Sequence, residues 1–135
     1  MLRITPDVHS RMVALAYDQY PLEACALLGG DPATGDVTLF YPCTNVAASA
    51  KVYSIDGRDH LRAERDAEDQ DLEIIGVMHS HTHTEAYPSP TDINQAPDPT
   101  WHYLIVSLKR DVPVVRSYYL INGTVEEEPV VLFEP

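Results

Sequence analysis

The chain has 135 residues, of which 44% are hydrophobic, and its formal net charge at pH 7 is −12. This composition fits one folded domain and argues against disorder, while the charge argues against binding nucleic acid or an anionic membrane and fits a neutral or basic protein partner or solubility alone. No apolar run nears the roughly 18 residues that span a bilayer and no signal peptide is evident, so we expect a soluble cytoplasmic protein.

The N-terminal half is predicted to combine one helix with strands and a second, charged helix. Thr5-Pro6-Asp7 is typical of a helix start, and apolar residues follow at helical spacing until Pro21. An apolar run closed by two glycines then indicates a buried strand, with a second strand paired to it as a hairpin. The predicted elements after the first helix are strands at 23–31, 36–45 and 51–56 and a solvent-facing helix at 58–70.

The C-terminal half is predicted to be mostly strand. Its elements are strands at 72–81, 101–108 and 112–121, with a short helix starting at Ser89 and an Asn122-Gly123 turn into the last segment. The first of these strands is apolar until its end, which indicates a central strand. The whole pattern predicts an α/β fold in which a mixed sheet is flanked by helices.

Three of the six histidines stand at alternate positions within residues 79–83. Because side chains two residues apart share a face of a strand, His79 and His81 would project together and supply half of a tetrahedral zinc site. His83 lies on the same face if the strand continues, and could be a ligand, a nearby contact or an exposed loop residue. His102 is a candidate to contact the site from outside the ligand set, and His60 is expected to be solvated.

The segment Ser89-Pro90-Thr91-Asp92 has two interpretations. Ser-x-x-Asp with proline at the first helical position is typical of a helix capping box. Alternatively, Asp92 returns over the two histidines as a third ligand, since catalytic zinc takes three protein ligands and one water. We expect these roles to compete, because a carboxylate turned towards a metal is poorly placed to cap its own helix.

Together with Glu23 in "YPLEACALLGG", the pattern His79-x-His81, seven residues, Ser89, two residues, Asp92 resembles the JAMM (MPN+) metalloprotease family. The "TEAYPSPTD" stretch and the closing "EEPV" are similar to its short bacterial Mec subgroup. The resemblance implies a JAMM/MPN fold, with cytidine-deaminase-like architecture, over a single domain of residues 1–135. One departure is Thr82, where many members of the family have proline.

The resemblance also implies a role for each of these residues. His79, His81 and Asp92 would bind one Zn²⁺ per chain, with water as the fourth ligand. Glu23 would act as general base and then as general acid towards the leaving amine, a role that its apolar neighbours would favour by raising its pKa. Ser89 would donate a hydrogen bond to the developing oxyanion.

The activity implied is that of a zinc metallopeptidase or isopeptidase. It would cleave the amide bond after the C-terminal Gly-Gly of a small ubiquitin-like sulfur-carrier protein, releasing a peptide or, as in the Mec type during cysteine biosynthesis, cysteine. An extended tail would lie against an exposed strand edge. The alternative is a non-catalytic MPN-type interaction module, and a zinc deaminase is disfavoured because the Pro-Cys-x-x-Cys motif that it needs is absent. The sequence leaves a homo-oligomer open.

Overall fold

The computed structural model describes residues 1–135. It contains eight strands and three helices, and no helix is both long and apolar enough to cross a membrane. In chain order they are β1 (Leu2–Ile4), α1 (Pro6–Gln19), β2 (Cys25–Asp31), β3 (Asp36–Cys43), α2 (Gly57–Asp69), β4 (Glu73–His81), α3 (Pro90–Asn94), β5 (His102–Ser107), β6 (Val114–Ile121), β7 (Thr124–Glu128) and β8 (Val130–Leu132).

All eight strands form one mixed sheet in the order β7-β6-β5-β4-β2-β3-β1-β8. β4 runs parallel to β5 and antiparallel to β2, and β1 runs parallel to both β3 and β8. The two edge strands, β7 and β8, are separated in the chain only by Pro129. A single residue can join opposite ends of the sheet only if the sheet coils round until its edges approach each other.

The sheet has a separate apolar cluster on each face. On one face α1 packs through Met12 against Met78 and Leu104, and on the other α2 packs through Ala63 against Val77 and other residues. Side chains alternate between the two faces along a strand. His79 and His81 therefore follow Val77 onto the α2 face, and the end of β4 brings them out beside α3.

Most of the sequence-based elements are confirmed within one or two residues. Thr5 caps α1 by accepting a hydrogen bond from the backbone N–H of Val8 (3.2 Å), and β2 and β3 form the expected antiparallel hairpin. The strand predicted at 51–56 is wrong, since this segment keeps only an isolated bridge between Asn45 and Ile55. Side chains form hydrogen bonds to backbone groups of this segment that would pair with a neighbouring strand in a regular sheet. The three-residue strand β1, too short for periodicity to reveal, was not predicted.

His102, a candidate to contact the site, lies away from it. Because β4 and β5 are parallel, His102 at the start of β5 lies opposite Gly76, whereas Ser107 lies opposite His81. His102 instead donates from Nδ1 to Oε2 of Glu128 (2.6 Å), which also accepts from Oγ of Ser117 (2.9 Å). This buried cluster joins β5, β6 and β7 at the far end of the sheet.

Glu128 should make the stability of this fold sensitive to acid. Burial opposes its ionisation, but the hydrogen bonds from His102 and Ser117 prevail and lower the pKa of Glu128. A carboxyl whose pKa is lowered by folding stabilises the native state above its unfolded pKa, about 4.5, and loses that contribution as the pH falls below it. We therefore expect Glu128→Gln to lower the free energy of unfolding by about 1–3 kcal/mol at pH 7. The melting temperature of the variant should also fall less than that of wild type as the pH is lowered.

Thermal unfolding followed by circular dichroism between about pH 7 and pH 3 would measure this effect. Glu126→Gln is the matched control, because Glu126 is an exposed carboxylate on the same strand. If the melting temperatures of wild type and the Glu128 variant fall equally with decreasing pH, the role given to the cluster is contradicted.

Candidate metal centre

Three side-chain atoms converge at the C-terminal end of β4. Nε2 of His79, Nε2 of His81 and Oδ2 of Asp92 lie 3.1 Å from one another, and all three residues are buried. Tetrahedral zinc with bonds of about 2.0–2.1 Å places its ligand atoms about 3.3–3.4 Å apart, so the observed triangle matches within a few tenths of an ångström. The structure thus brings together the three residues that the sequence suggested as metal ligands.

The protonation of these groups suits a cation. Nδ1 of His81 lies 2.8 Å from the carbonyl oxygen of Glu85, so this nitrogen carries a proton and Nε2 faces the triangle. Burial opposes protonation of His81, but the hydrogen bonds to Asp92 and Glu85 prevail and raise its pKa, so a cation would take the place of a proton on Nε2. Burial lowers the pKa of His79 and favours its neutral ring. The two histidines hold the pKa of Asp92 well below its usual range despite its burial. Two imidazole lone pairs and one carboxylate are the donor set of a catalytic zinc site.

Asp92 also caps the helix on which it stands. The backbone N–H of Ser89 donates to its Oδ2 (2.9 Å), and the backbone N–H of Asp92 donates to Oγ of Ser89 (3.0 Å), which completes a capping box at the start of α3. The expectation that the two roles compete is therefore wrong. The same oxygen serves both, because a carboxylate oxygen has lone pairs enough to accept from the helix and face the histidines.

Ser89 keeps a free donor next to this triangle. Its Oγ accepts from the backbone of Asp92, but its hydroxyl donates to no group of the protein. The side chain is half-buried at the edge of the site. A hydroxyl whose oxygen is held in place while its proton is unused can donate to an oxygen of a bound molecule.

Glu23 lies beside the histidines, two residues before β2 begins. Cys25 is directly opposite His79 in the ladder, and the backbone N–H of Ser80 donates to the carbonyl of Ala24 (3.0 Å), so the same register continues and places Glu23 opposite His81. Glu23 is 4% exposed and its Oε1 has no hydrogen-bond partner. Burial raises the pKa of Glu23 to about 7, with His81 opposing and Asp92 adding to the shift. Such a carboxyl can accept and release a proton near neutral pH.

Asn45 organises the irregular segment 44–56 around Glu23, a role that sequence analysis missed. Its Nδ2 donates to the carbonyls of Glu23 and Val52 (both 3.1 Å). Its Oδ1 accepts from the backbone N–H groups of Ala47 (3.1 Å) and Ser54 (2.9 Å). The asparagine thus replaces the backbone pairing of a strand, and only its place in a turn-rich stretch after β3 could have suggested this.

A cavity of about 240 Å³ opens next to the triangle. Tyr53 and Ile55 of the irregular segment line it, and its lining also includes Asp92, Gln95 and Trp101. His60, expected to be solvated, is half-exposed and lines this cavity as well. No lysine or arginine lines it, so the cavity suits an uncharged chain segment rather than an anionic group.

His83 does not join the triangle. β4 ends at His81, and the exposed ring of His83 stacks on Tyr20 with a centroid separation of 5.8 Å and an interplanar angle of 27°. The neighbouring Thr82, where proline is common in the resembling family, is buried and donates from Oγ1 to the carbonyl of Ala50 (3.3 Å). Thr82 therefore attaches the end of β4 to the irregular segment.

The chain is similar to known proteins over its whole length. A family model described as prokaryotic homologs of the JAB domain matches residues 5–121. The CysO-cysteine peptidase of Mycobacterium tuberculosis is 38% identical over 135 residues, covering 99% of this chain and 92% of that protein. The solution structure of protein DSY2949 from Desulfitobacterium hafniense matches with a TM-score of 0.91 at 36% identity, covering 100% of this chain and 94% of that chain. The crystal structure of AF2198, a JAB1/MPN domain protein from Archaeoglobus fulgidus, is alike in fold, with a TM-score of 0.65 at 16% identity, covering 99% of this chain and 98% of that chain.

The two roles of Asp92 can be separated by substitution. Asp92→Asn retains an oxygen that accepts from Ser89 but loses the negative charge that the two histidines stabilise. We therefore expect a free energy of unfolding lower by about 1–3 kcal/mol and a zinc affinity at least about 100-fold lower, because a neutral amide is a weak ligand. Asp92→Ala should lose zinc affinity as well and cost about 1 kcal/mol more in unfolding. Chelator competition would measure the affinity, and urea unfolding without metal the stability.

Wild-type zinc affinity in the Asn variant would contradict the ligand role. Equal unfolding free energies for the Asn and Ala variants would contradict the capping role.

Proposed function

The chain belongs to the prokaryotic homologs of the JAB domain and is a hydrolase acting on peptide bonds, and we propose that it is a zinc-dependent peptidase that cleaves the bond after the C-terminal Gly-Gly of a small ubiquitin-like sulfur-carrier protein. The fold expected from the resemblance, a mixed sheet flanked by helices of the JAB/MPN type, is confirmed. The observation that carries the proposal is the buried triangle of His79, His81 and Asp92 with Glu23 beside it.

In this proposal His79, His81 and Asp92 hold zinc. Glu23 transfers a proton, and Ser89 stabilises the negative charge that develops on the substrate oxygen. When bound, zinc supplies a Lewis acid that acidifies water and polarises the scissile carbonyl. Glu23 takes the proton that water loses as its oxygen adds to the carbonyl carbon. The hydroxyl of Ser89 donates to the oxygen on which negative charge develops. Glu23 then gives its proton to the nitrogen as the C–N bond breaks, so one proton passes from water to the leaving amine.

The carrier tail is proposed to lie along the irregular segment rather than at an edge of the sheet. The edge strands β7 and β8 are far from the end of β4 in the strand order. The backbone N–H and C=O groups of Tyr53 and Ile55, by contrast, form no hydrogen bond within the protein, and both residues line the cavity. An extended Gly-Gly tail has no side chains to exclude it from so small a cavity and can pair with these free groups.

Cysteine is the leaving group that we favour. The support is the similarity over 99% of this chain to a protein named for its action on CysO-cysteine. We propose that residues 1–135 act as one domain in the cytoplasm, releasing cysteine from a carrier adduct for cysteine biosynthesis.

Glu23→Gln tests the proposed chemistry. The amide is nearly isosteric but cannot accept the proton, so we expect hydrolysis to fall at least about 1,000-fold while zinc affinity stays within a few-fold of wild type. The substrate would be a ubiquitin-like sulfur-carrier with cysteine linked after its Gly-Gly. Mass spectrometry would follow the loss of the cysteine residue with and without chelator.

Full activity of the Gln variant would rule out Glu23 as the base. Cleavage that is insensitive to chelator would rule out a zinc mechanism, and a wild-type chain that releases neither cysteine nor a peptide from any such carrier would favour the non-catalytic interaction module.

Ser89 gives a second, independent test. Ser89→Ala removes the free hydroxyl, so we expect kcat to fall about 100- to 1,000-fold, as for the loss of one oxyanion donor, and the lost cap to cost about 1 kcal/mol of stability. Ser89→Thr retains hydroxyl and cap and serves as the control. Steady-state kinetics below the melting temperature of both variants would measure the effect, and equal kcat for the alanine variant and wild type would exclude the oxyanion role.

A further inference from the structure

We propose that Tyr53 is a positioning residue for His79, acting by ring stacking in place of the hydrogen bond that usually orients a metal-binding histidine. The inference rests on the proposed function in one respect, that His79 binds zinc. It adds a residue outside the five of the sequence motif.

The two histidines of the triangle are held in different ways. Nδ1 of His81 donates to the carbonyl of Glu85 (2.8 Å), and an interaction of this kind normally fixes the ring and tautomer of a metal-binding histidine. Nδ1 of His79 is buried and has no hydrogen-bond partner. The His79 ring therefore lacks the hydrogen bond at Nδ1 that orients His81, and a contact on the face of the ring can take its place.

Tyr53 supplies the contact that the hydrogen bond does not. Its ring stacks on the imidazole of His79 with a centroid separation of 4.4 Å and an interplanar angle of 19°. This is closer and flatter than the contact between the two histidines, whose centroids are 5.0 Å apart at 60°. A face-to-face contact restricts rotation of the imidazole about its Cβ–Cγ bond, the motion that would turn Nε2 away from His81 and Asp92.

The position of Tyr53 is itself fixed by Asn45. The side chain of Asn45 binds the carbonyl of Val52 and the N–H of Ser54, which are the two neighbours of Tyr53 in the chain. The same side chain also donates to the carbonyl of Glu23. One asparagine thus holds the backbone of the proposed base and the backbone that carries the stacking ring, which sets Glu23 and His79 in register with each other.

The ring of Tyr53, rather than its hydroxyl, should carry this role. The hydroxyl makes no hydrogen bond within the protein, and Tyr53 lines the cavity beside Asp92. Removing only the oxygen should therefore leave the orientation of His79 unchanged, whereas removing the ring should release it.

The test compares zinc dissociation constants, measured by competition with a chromophoric chelator, for wild type, Tyr53→Phe and Tyr53→Leu. We expect the Phe variant within about twofold of wild type and the Leu variant weaker by about 10- to 100-fold, the usual effect of losing a residue that orients a ligand. Tyr20→Leu is the matched control, because it removes a tyrosine stacked on His83, which is not in the triangle. Its zinc affinity should equal that of wild type.

A Leu variant that is folded by circular dichroism and binds zinc as tightly as wild type would overturn the inference, and so would a Phe variant as weak as the Leu variant. If Leu prevents folding, Tyr53→Met fills more of the ring's volume without its flat face and takes its place under the same criterion. A wild-type chain that binds no zinc would instead overturn the proposed function, which keeps the two failures distinct.

Discussion

Oδ2 of Asp92 accepts a hydrogen bond from the backbone N–H of Ser89, the N-cap of α3. The same oxygen lies 3.1 Å from Nε2 of each of the two histidines. The arrangement requires a short helix to begin where β4 ends, with its first turn facing the strand. It also requires the carboxylate to stay ionised, which the neighbouring histidines favour more strongly than burial opposes. The start of α3, the end of β4 and the positions of the three donor atoms thus depend on one another. A shift of either element would separate the donor atoms.

Around this constraint the structure places two functions on two neighbouring strands. β4 carries the histidines, and the chain entering β2 carries Glu23 opposite them, so the antiparallel register sets the distance between Glu23 and the histidines. The irregular segment 44–56 then attaches to both, through Asn45 to Glu23 and through Tyr53 to His79. Contacts that hold Glu23 and His79 therefore come from a stretch that has almost no regular secondary structure.

Sequence alone was enough for the parts of the site that follow simple periodicity or a specific spacing. The alternation of side chains along a strand predicted that His79 and His81 share a face. The family resemblance grouped Glu23 with them, although it is more than 50 residues away in the chain. The irregular segment could not be predicted, because its alternating residues suggest a strand while the side chain of Asn45 takes over the backbone pairing. The place of His102 could not be decided from the sequence, because strand direction, which periodicity does not encode, determines which end of β5 meets the end of β4. The shared oxygen of Asp92 was missed because local reasoning treated capping and metal binding as alternatives.

The coiled sheet also has a consequence for the order in which the chain assembles. β4 lies between β2 and β5, so its pairing partners are complete once residue 107 has been made. β1, the first strand of the chain, keeps one edge open until β8 at residues 130–132 covers it. Synthesis from the N-terminus therefore presents all the strands and the short helix of the candidate metal centre to one another before the sheet can close.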